Sequence, residues 1–313
     1  MDDPGFRRLQ DCRVAIVGVG LMGGSLGLDL RGQCAERVGV GRSAATLALA
    51  QSRGMIDRTA DFDEAVGSCD LIILATPPRT ILAQLQALAE RRTPRPAAGL
   101  PPKVILDLGS TKTDIVAAME ALPVGFDPVG GHPMCGKEVS GAAAAEPGLY
   151  RGQSFILTPL ARTSAGALGL AQDLVRAVGA RPLVLAAARQ DALVAQISHL
   201  PYVAAVALVR AAQACGDEQV WEVAASGFRD TSRLAASDLT MMLDILLTNR
   251  EAVARALTGY RAELEALARL IDQGDAAALR AALEPARVKR LELFVPTKME
   301  GFAAENAESA EKV

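Results

Sequence analysis

The 313-residue sequence predicts an α/β N-terminal domain followed by an all-helical C-terminal domain. Three observations carry this. A glycine fingerprint, Gly18-Val19-Gly20-Leu21-Met22-Gly23, follows a short apolar run and precedes helix-forming residues. Apolar strands then alternate with helical stretches to about residue 185, the pattern of a parallel sheet covered by helices. Beyond that point apolar residues recur at helical spacing, as at Leu193, Ile197, Leu200 and Ala204, and again at Leu264, Leu267, Leu270 and Ile271. The predicted domains are 1–186, a Rossmann-type NAD(P)-binding domain; 187–295, a helical substrate and dimerisation domain; and 296–313, a flexible tail.

Composition excludes several function classes. The formal net charge of −3 gives no basic footprint for nucleic acid, and the scarcity of aromatic residues leaves no base-stacking platform. No uninterrupted apolar run approaches the roughly 20 residues of a bilayer span. The N-terminus lacks the apolar core of a signal peptide. The expectation is a cytoplasmic protein with neither nucleic-acid nor membrane partner. Five scattered cysteines without a Cys-x-x-Cys pair read as free thiols of a reducing compartment. With only two histidines and no paired cysteines, no metal site is expected.

Arg13 to Val17 reads as a buried strand leading into the fingerprint. Gly18 permits the tight turn, Gly20 lets backbone reach a pyrophosphate, and Gly23 lets helix and strand pack closely. Leu21 and Met22, between the glycines, belong to the same cofactor contact, and the helix N-terminus offers unpaired N–H groups to the phosphates. A second strand, Arg37 to Val40, ends where NAD-binding folds commonly place an acidic residue on the ribose. Gly41, Arg42 and Ser43 stand there instead. A guanidinium and a hydroxyl suit a 2′-phosphate, which favours NADP over NAD as cofactor. The alternative is a solvated Arg42 and a Ser43 that caps the helix starting at Ala44.

Leu71 to Ala75 is a fully apolar strand, stopped by Thr76-Pro77-Pro78 at the edge where such sheets bind ligands. Thr76 and Pro77 are therefore cofactor-site candidates. A helix from about Thr80 to Glu90 and a proline-rich loop over 91–102 follow. Val104 to Leu108 is the next strand, ending in Gly109-Ser110-Thr111-Lys112. Ser110 faces the cofactor in this placement or caps the following helix. Lys112 reads as a solvated lysine, with a cofactor or substrate carboxylate as the other option.

Gly130-Gly131-His132-Pro133-Met134-Cys135-Gly136 reads as a glycine-flanked loop. Histidine is the side chain best suited to trade a proton near neutral pH, and flanking glycines allow close ligand approach. His132 is therefore predicted to stand where a nicotinamide meets a hydroxylated substrate. Strands over 154–158 and 182–185 flank a helix near 164–178. Ala188 to about Cys215 then reads as one long helix carrying His199, kinked at Pro201. Further helices are predicted over 218–225, 239–248, 250–273 and 275–293. Between two of them, 226–235 reads as an irregular polar segment with Arg229 and Arg233, a source of guanidinium for a carboxylate; Arg229 is expected to pair with Asp230 or a helix end.

Together DLGSTK (107–112), GGHPMCGKEVSG (130–141), ISHLP (197–201) and GFRDTSRLAASD (227–238) resemble the prephenate/arogenate dehydrogenase (TyrA) family over nearly the whole chain. The resemblance implies that His132 is the catalytic histidine engaging the substrate ring hydroxyl. It implies that Ser110 hydrogen-bonds near that histidine and the nicotinamide, that His199 belongs to substrate binding, and that Arg233 holds a substrate carboxylate. It also implies oxidative decarboxylation of prephenate or arogenate with hydride transfer to NAD(P), in a homodimer formed through the helical domain. Lys137 stands where many members have threonine and is a further substrate-site candidate. Tyr202, Leu239 and Met242 also depart from the common pattern, which leaves the substrate side-chain preference open. The length argues against a fused mutase or a full regulatory domain. Two other readings remain: another Rossmann-plus-helical oxidoreductase of the β-hydroxyacid dehydrogenase or imine reductase type, and a non-catalytic NADP-binding sensor.

Overall fold

A computed structural model describes residues 7–90, 101–137 and 139–294. The strands are β1 (Arg13–Val17), β2 (Glu36–Val40), β3 (Arg58–Thr59), β4 (Leu71–Leu74), β5 (Lys103–Asp107), β6 (Phe126–Pro133), β7 (Ser154–Pro159) and β8 (Arg181–Val184). They form one sheet in the order β3-β2-β1-β4-β5-β6-β7-β8. Every pairing is parallel except β6 with β7. The helices of this half are α1 (Leu21–Asp29), α2 (Ala44–Ser52), α3 (Phe62–Ser68), α4 (Pro78–Ala89), α5 (Thr113–Glu120) and α6 (Ala165–Ala177).

The two faces of the sheet explain the unbroken apolar strands. Ile16, Ile73 and Leu106 pack with Leu26 of α1, with Leu30 just beyond its end, and with Leu170 and Leu174 of α6. Their chain neighbours Ala15, Ile72 and Ile105 point the other way, onto Ile81 and Leu85 of α4 and Ile115 and Met119 of α5. Alternate residues thus serve opposite layers, so both must be apolar. Ser43, Asp61 and Ser164 cap α2, α3 and α6 by accepting from the third N–H beyond them.

The helical half comprises α7 (Ala187–Val194), α8 (Leu200–Ala214), α9 (Gln219–Glu222), α10 (Ser226–Ser232), α11 (Leu239–Thr248), α12 (Arg250–Gln273) and α13 (Ala276–Phe294). Among the described residues, those up to Ala254 form one compact unit and those from Arg255 onward a second.

Four expectations change. His132 is not in a loop: it lies near the end of β6, whose residues are all buried and pair with β7, His132 opposite Ile156. Gly131 pairs with Leu157 of β7, and glycine is required there because a Cβ would stand 2.4 Å from the Asp107 carbonyl oxygen on neighbouring β5. The long helix at 188–215 is interrupted by a π turn, Ala195–His199, just before Pro201. Proline lacks the N–H that an α ladder needs, so Pro201 stands in the first turn of α8, where that N–H is not required. The segment 226–235 is helical, α10 followed by a 3₁₀ turn at Arg233–Ala236, and both pack against α8. Finally, the stretch Ala187–Ala214 contains an 18-residue segment whose mean hydropathy is 1.7, long and apolar enough to cross a bilayer by length and composition alone. Isolated polar residues such as Gln196 and Ser198 interrupt the apolar run without lowering its average enough. The predicted tail at 296–313 and most of the proline-rich loop fall outside the described residues.

Candidate active site

β1, β4, β5 and β6 are adjacent and parallel, so the residues following their C-terminal ends gather along one edge of the sheet. Those residues are the fingerprint, Thr76-Pro77 and Gly109-Ser110, and His132, near the end of β6 itself, lies at the same edge. Open α/β sheets bind ligands at this edge.

The fingerprint fits a dinucleotide. Gly18 has φ +98°, and a Cβ there would stand 2.8 Å from both the Ala75 carbonyl oxygen and the Thr76 methyl. A Cβ on Gly23 would lie 2.1 Å from the Gly18 carbonyl oxygen. Gly20, by contrast, opens α1 with nothing within 4 Å of where its Cβ would be. No side chain caps this helix and its first turn carries no acidic residue. The N–H groups of Leu21, Met22 and Gly23 are thus left for an anion. The helix begins at Leu21, earlier than the sequence suggests, so the last fingerprint glycine is itself helical. Thr76 donates its hydroxyl to Gln84 Oε1 at 2.9 Å, and Pro77 precedes α4. At the end of β2, Arg42 is exposed and Ser43 accepts from the Thr46 N–H at 3.2 Å. The capping alternative for Ser43 is therefore realised.

Around His132 the structure builds a buried polar cluster. Lys112, read from sequence as solvated, is wholly buried and ion-paired with Asp107, which is also wholly buried. The reversal has a local cause. Asp107 ends β5, and its carboxylate accepts from the N–H of Gly109 at 2.8 Å and of Gly131 at 2.9 Å. One carboxylate thus joins the turn before Ser110 to the residue before His132, and Lys112 supplies its counter-charge. Burial drives Asp107 up and Lys112 down in pKa; each opposes that shift in the other, and the two N–H groups help hold Asp107 down.

His132 is 9% exposed. Its pKa is pushed down to about 3, first by burial and then by the positive charge of Lys112 and by His199, with the Gln190 side chain opposing. The ring is consequently neutral at physiological pH and available as a proton acceptor. His199, at the end of the π turn, is also buried and held down to about 4 by desolvation, with Asp191 pulling the other way. Its Nδ1 stands 3.2 Å from Asn249 Nδ2, which donates to the Asp191 carbonyl at 2.9 Å.

Asp191 and Gln190 of α7 tie the helical half to this edge. The Asp191 carboxylate accepts from the Lys112 N–H at 2.7 Å and the Thr113 N–H at 2.8 Å, which caps α5. Ser110 therefore does not cap α5. Gln190 donates to the Ser110 carbonyl at 3.2 Å. Asp107, Gln190, Asp191 and Asn249 are cluster members that the sequence leaves without a role. The one available signal was Asp191, the one acidic residue in the stretch from Ala188 to Cys215 that the sequence reads as a single helix.

The structure brings together His132, His199 and the backbone of Ser110. It does not bring Lys137 or Arg233 into that buried set. Lys137 is exposed and pairs with Glu146 at 2.7 Å, and Arg233 is exposed at the head of the 3₁₀ turn. Arg229 pairs with Asp230 at 3.2 Å, as expected.

Residues 26–184 match the family model for the prephenate dehydrogenase nucleotide-binding domain, and residues 186–285 match that for the prephenate dehydrogenase dimerization domain. The chain belongs to the prephenate dehydrogenase family. It is 31% identical over 272 residues to the prephenate dehydrogenase of Bacillus subtilis (strain 168), covering 84% of this chain and 71% of that one. Among solved structures it resembles prephenate dehydrogenase from A. aeolicus in complex with hydroxyphenyl propionate and NAD+. There the TM-score is 0.81 and the identity 31%, over 90% of this chain and 97% of the other. It also resembles Synechocystis arogenate dehydrogenase, with TM-score 0.75 and 29% identity over 90% of this chain and 99% of that one. Prephenate dehydrogenase family membership agrees with the architecture above, a Rossmann-like sheet followed by helices, and leaves the other oxidoreductase and sensor readings unfavoured.

Proposed function

We propose that this NAD(P)-dependent dehydrogenase of tyrosine biosynthesis oxidises prephenate or arogenate, with His132 as the proton acceptor. The observation that carries the assignment of His132 is a buried, neutral imidazole on the sheet edge that also holds the dinucleotide fingerprint. When bound, the nicotinamide supplies the hydride acceptor. His132 takes a hydrogen bond from the ring hydroxyl as its oxygen gains carbonyl character during hydride loss. Breakage of the bond to the ring carboxylate then releases carbon dioxide. Its electron pair aromatises the ring and returns density to the oxygen, which keeps or regains the proton as a phenol. Ser110 is proposed to orient hydroxyl and cofactor, and His199 to line the substrate side. The test is stoichiometry: one carbon dioxide released per nicotinamide reduced. Reduction without carbon dioxide would indicate a plain hydroxy-acid oxidation instead.

Arg233 is proposed as the carboxylate clamp. Arg233→Ala should raise KM for the cyclohexadienol by about tenfold or more with a smaller change in kcat, as expected for loss of a charge-assisted hydrogen bond. An unchanged KM moves the clamp elsewhere, with Lys137 the next candidate.

NADP is the proposed preferred cofactor. Support comes from Gly41-Arg42-Ser43 at the end of β2, where no carboxylate stands to repel a 2′-phosphate. Arg42→Asp should shift the ratio of kcat/KM values toward NAD by about tenfold or more. An unshifted ratio returns Arg42 to a solvated role.

A homodimer is proposed through the helical half, whose dimerization-domain match coincides with exposed apolar residues. Leu193 and Ile197 on one stretch, and Leu239, Leu243 and Leu247 on α11, are all exposed. A second copy covering such faces would account for them. The cytoplasm is the proposed location, since five free thiols suit a reducing compartment.

A further inference from the structure

Two polar atoms of the cluster are buried without a hydrogen-bond partner: Nδ1 of His132 and Oε1 of Gln190. Buried polar atoms are seldom left unpaired, so each calls for a partner. Gln190 is fully buried, and its amide orientation is determined by its neighbours. Its Nε2 donates to the Ser110 carbonyl at 3.2 Å and to Asp191 Oδ1 at 3.0 Å, two groups that only accept. Exchanging nitrogen and oxygen would set oxygen against oxygen twice. The amide oxygen is therefore the end left over, and the Gln190 side chain lies within interaction range of the His132 ring. An amide oxygen can satisfy Nδ1 only if Nδ1 carries the proton. A neutral imidazole has one proton, so Nε2 is then bare. Catalytic hydrogen bonds are often long or poorly aligned before substrate binds and tighten in the complex.

We infer that Gln190 is a positioning residue, whose amide oxygen accepts from Nδ1–H of His132 and so holds the ring in the tautomer that leaves Nε2 as the proton acceptor. The inference rests on the reading of His132 as the base. The same amide holds the Ser110 carbonyl, so one side chain of the helical half aligns two groups of the sheet edge. The charged and titratable groups facing the ring are Lys112 and His199, with Asp107 and Asp191 behind them. None of these offers Nδ1 a hydrogen bond.

The test uses the tag-free chain labelled with ¹⁵N-histidine. Only two imidazoles are present, and a His199→Gln variant assigns them. A long-range ¹H–¹⁵N spectrum at neutral pH without substrate reads each tautomer. The expected result is His132 protonated on Nδ1 in the native protein and a mixture of tautomers in Gln190→Leu. In the same variant kcat should fall by about tenfold or more, in the range seen when an orienting partner is removed, with KM little changed. Gln190→Glu keeps an acceptor, so it should keep the tautomer and move the His132 titration to higher pH. Protonation on Nε2 in the native protein overturns the inference. So does an unchanged tautomer in Gln190→Leu, or release of the tautomer by Ser110→Ala instead. If Gln190→Leu does not fold, the native spectrum and the Gln190→Glu titration decide; an unshifted titration overturns it. A native chain with the expected tautomer that turns over no cyclohexadienol fails the functional reading alone.

Discussion

His132→Ala is expected to lower kcat by about 10² to 10⁴, the range general base catalysis contributes, and to leave NAD(P) affinity nearly unchanged. The two effects separate because the ring stands on β6, while the phosphates are assigned to the turn after β1. The pH dependence gives a second handle. A base must be deprotonated, and the His132 pKa is depressed from the ordinary 6.5 to about 3. The kcat/KM profile reports the free enzyme, so its acid limb due to this ring should lie well below pH 6.5. A variant with near-native rate removes His132 from the mechanism.

Lys112→Met should destabilise the fold by about 3 to 5 kcal/mol, the usual cost of leaving one member of a buried ion pair alone. The pair is wholly buried, and Asp107 keeps its two backbone donors in the variant but loses its counter-charge. Denaturant midpoints measure this. Adding Asp107→Asn to Lys112→Met removes the uncompensated charge, so the double variant should be more stable than Lys112→Met alone. Equal stability would show that Asp107 is already neutral in the single variant. There is a catalytic signature too. Lys112 helps hold His132 unprotonated, so its loss should move the acid limb of kcat/KM upward in pH. A solvated lysine, which is how the sequence reads, would produce neither effect.

That misreading shows where sequence reasoning stops. The fingerprint was legible because each glycine answers a local need, visible as a clash or an open approach at that position. The alternation of strands and helices was legible because each strand serves two apolar layers. Lys112 was not, because lysine is ordinarily solvated and its burial depends on Asp107 being turned inward by two N–H groups, one of them on a different strand. Asp191 caps a helix 78 residues away in the chain, a relation no local pattern carries. His132 itself stood out by rarity and by family resemblance, yet its place in a strand was missed. Gly130 and Gly131 suggest a loop until β5 and β7 are beside them. The polar run at 226–235 likewise becomes helical in contact with α8.

The central claim is tested most directly by following reduced-nicotinamide absorbance with the purified chain in four mixtures: prephenate or arogenate, each with NADP or NAD. The account predicts reduction in at least one mixture, strongest with NADP, and its loss in His132→Ala. No reduction in any of the four, with cofactor binding demonstrated separately, would contradict it.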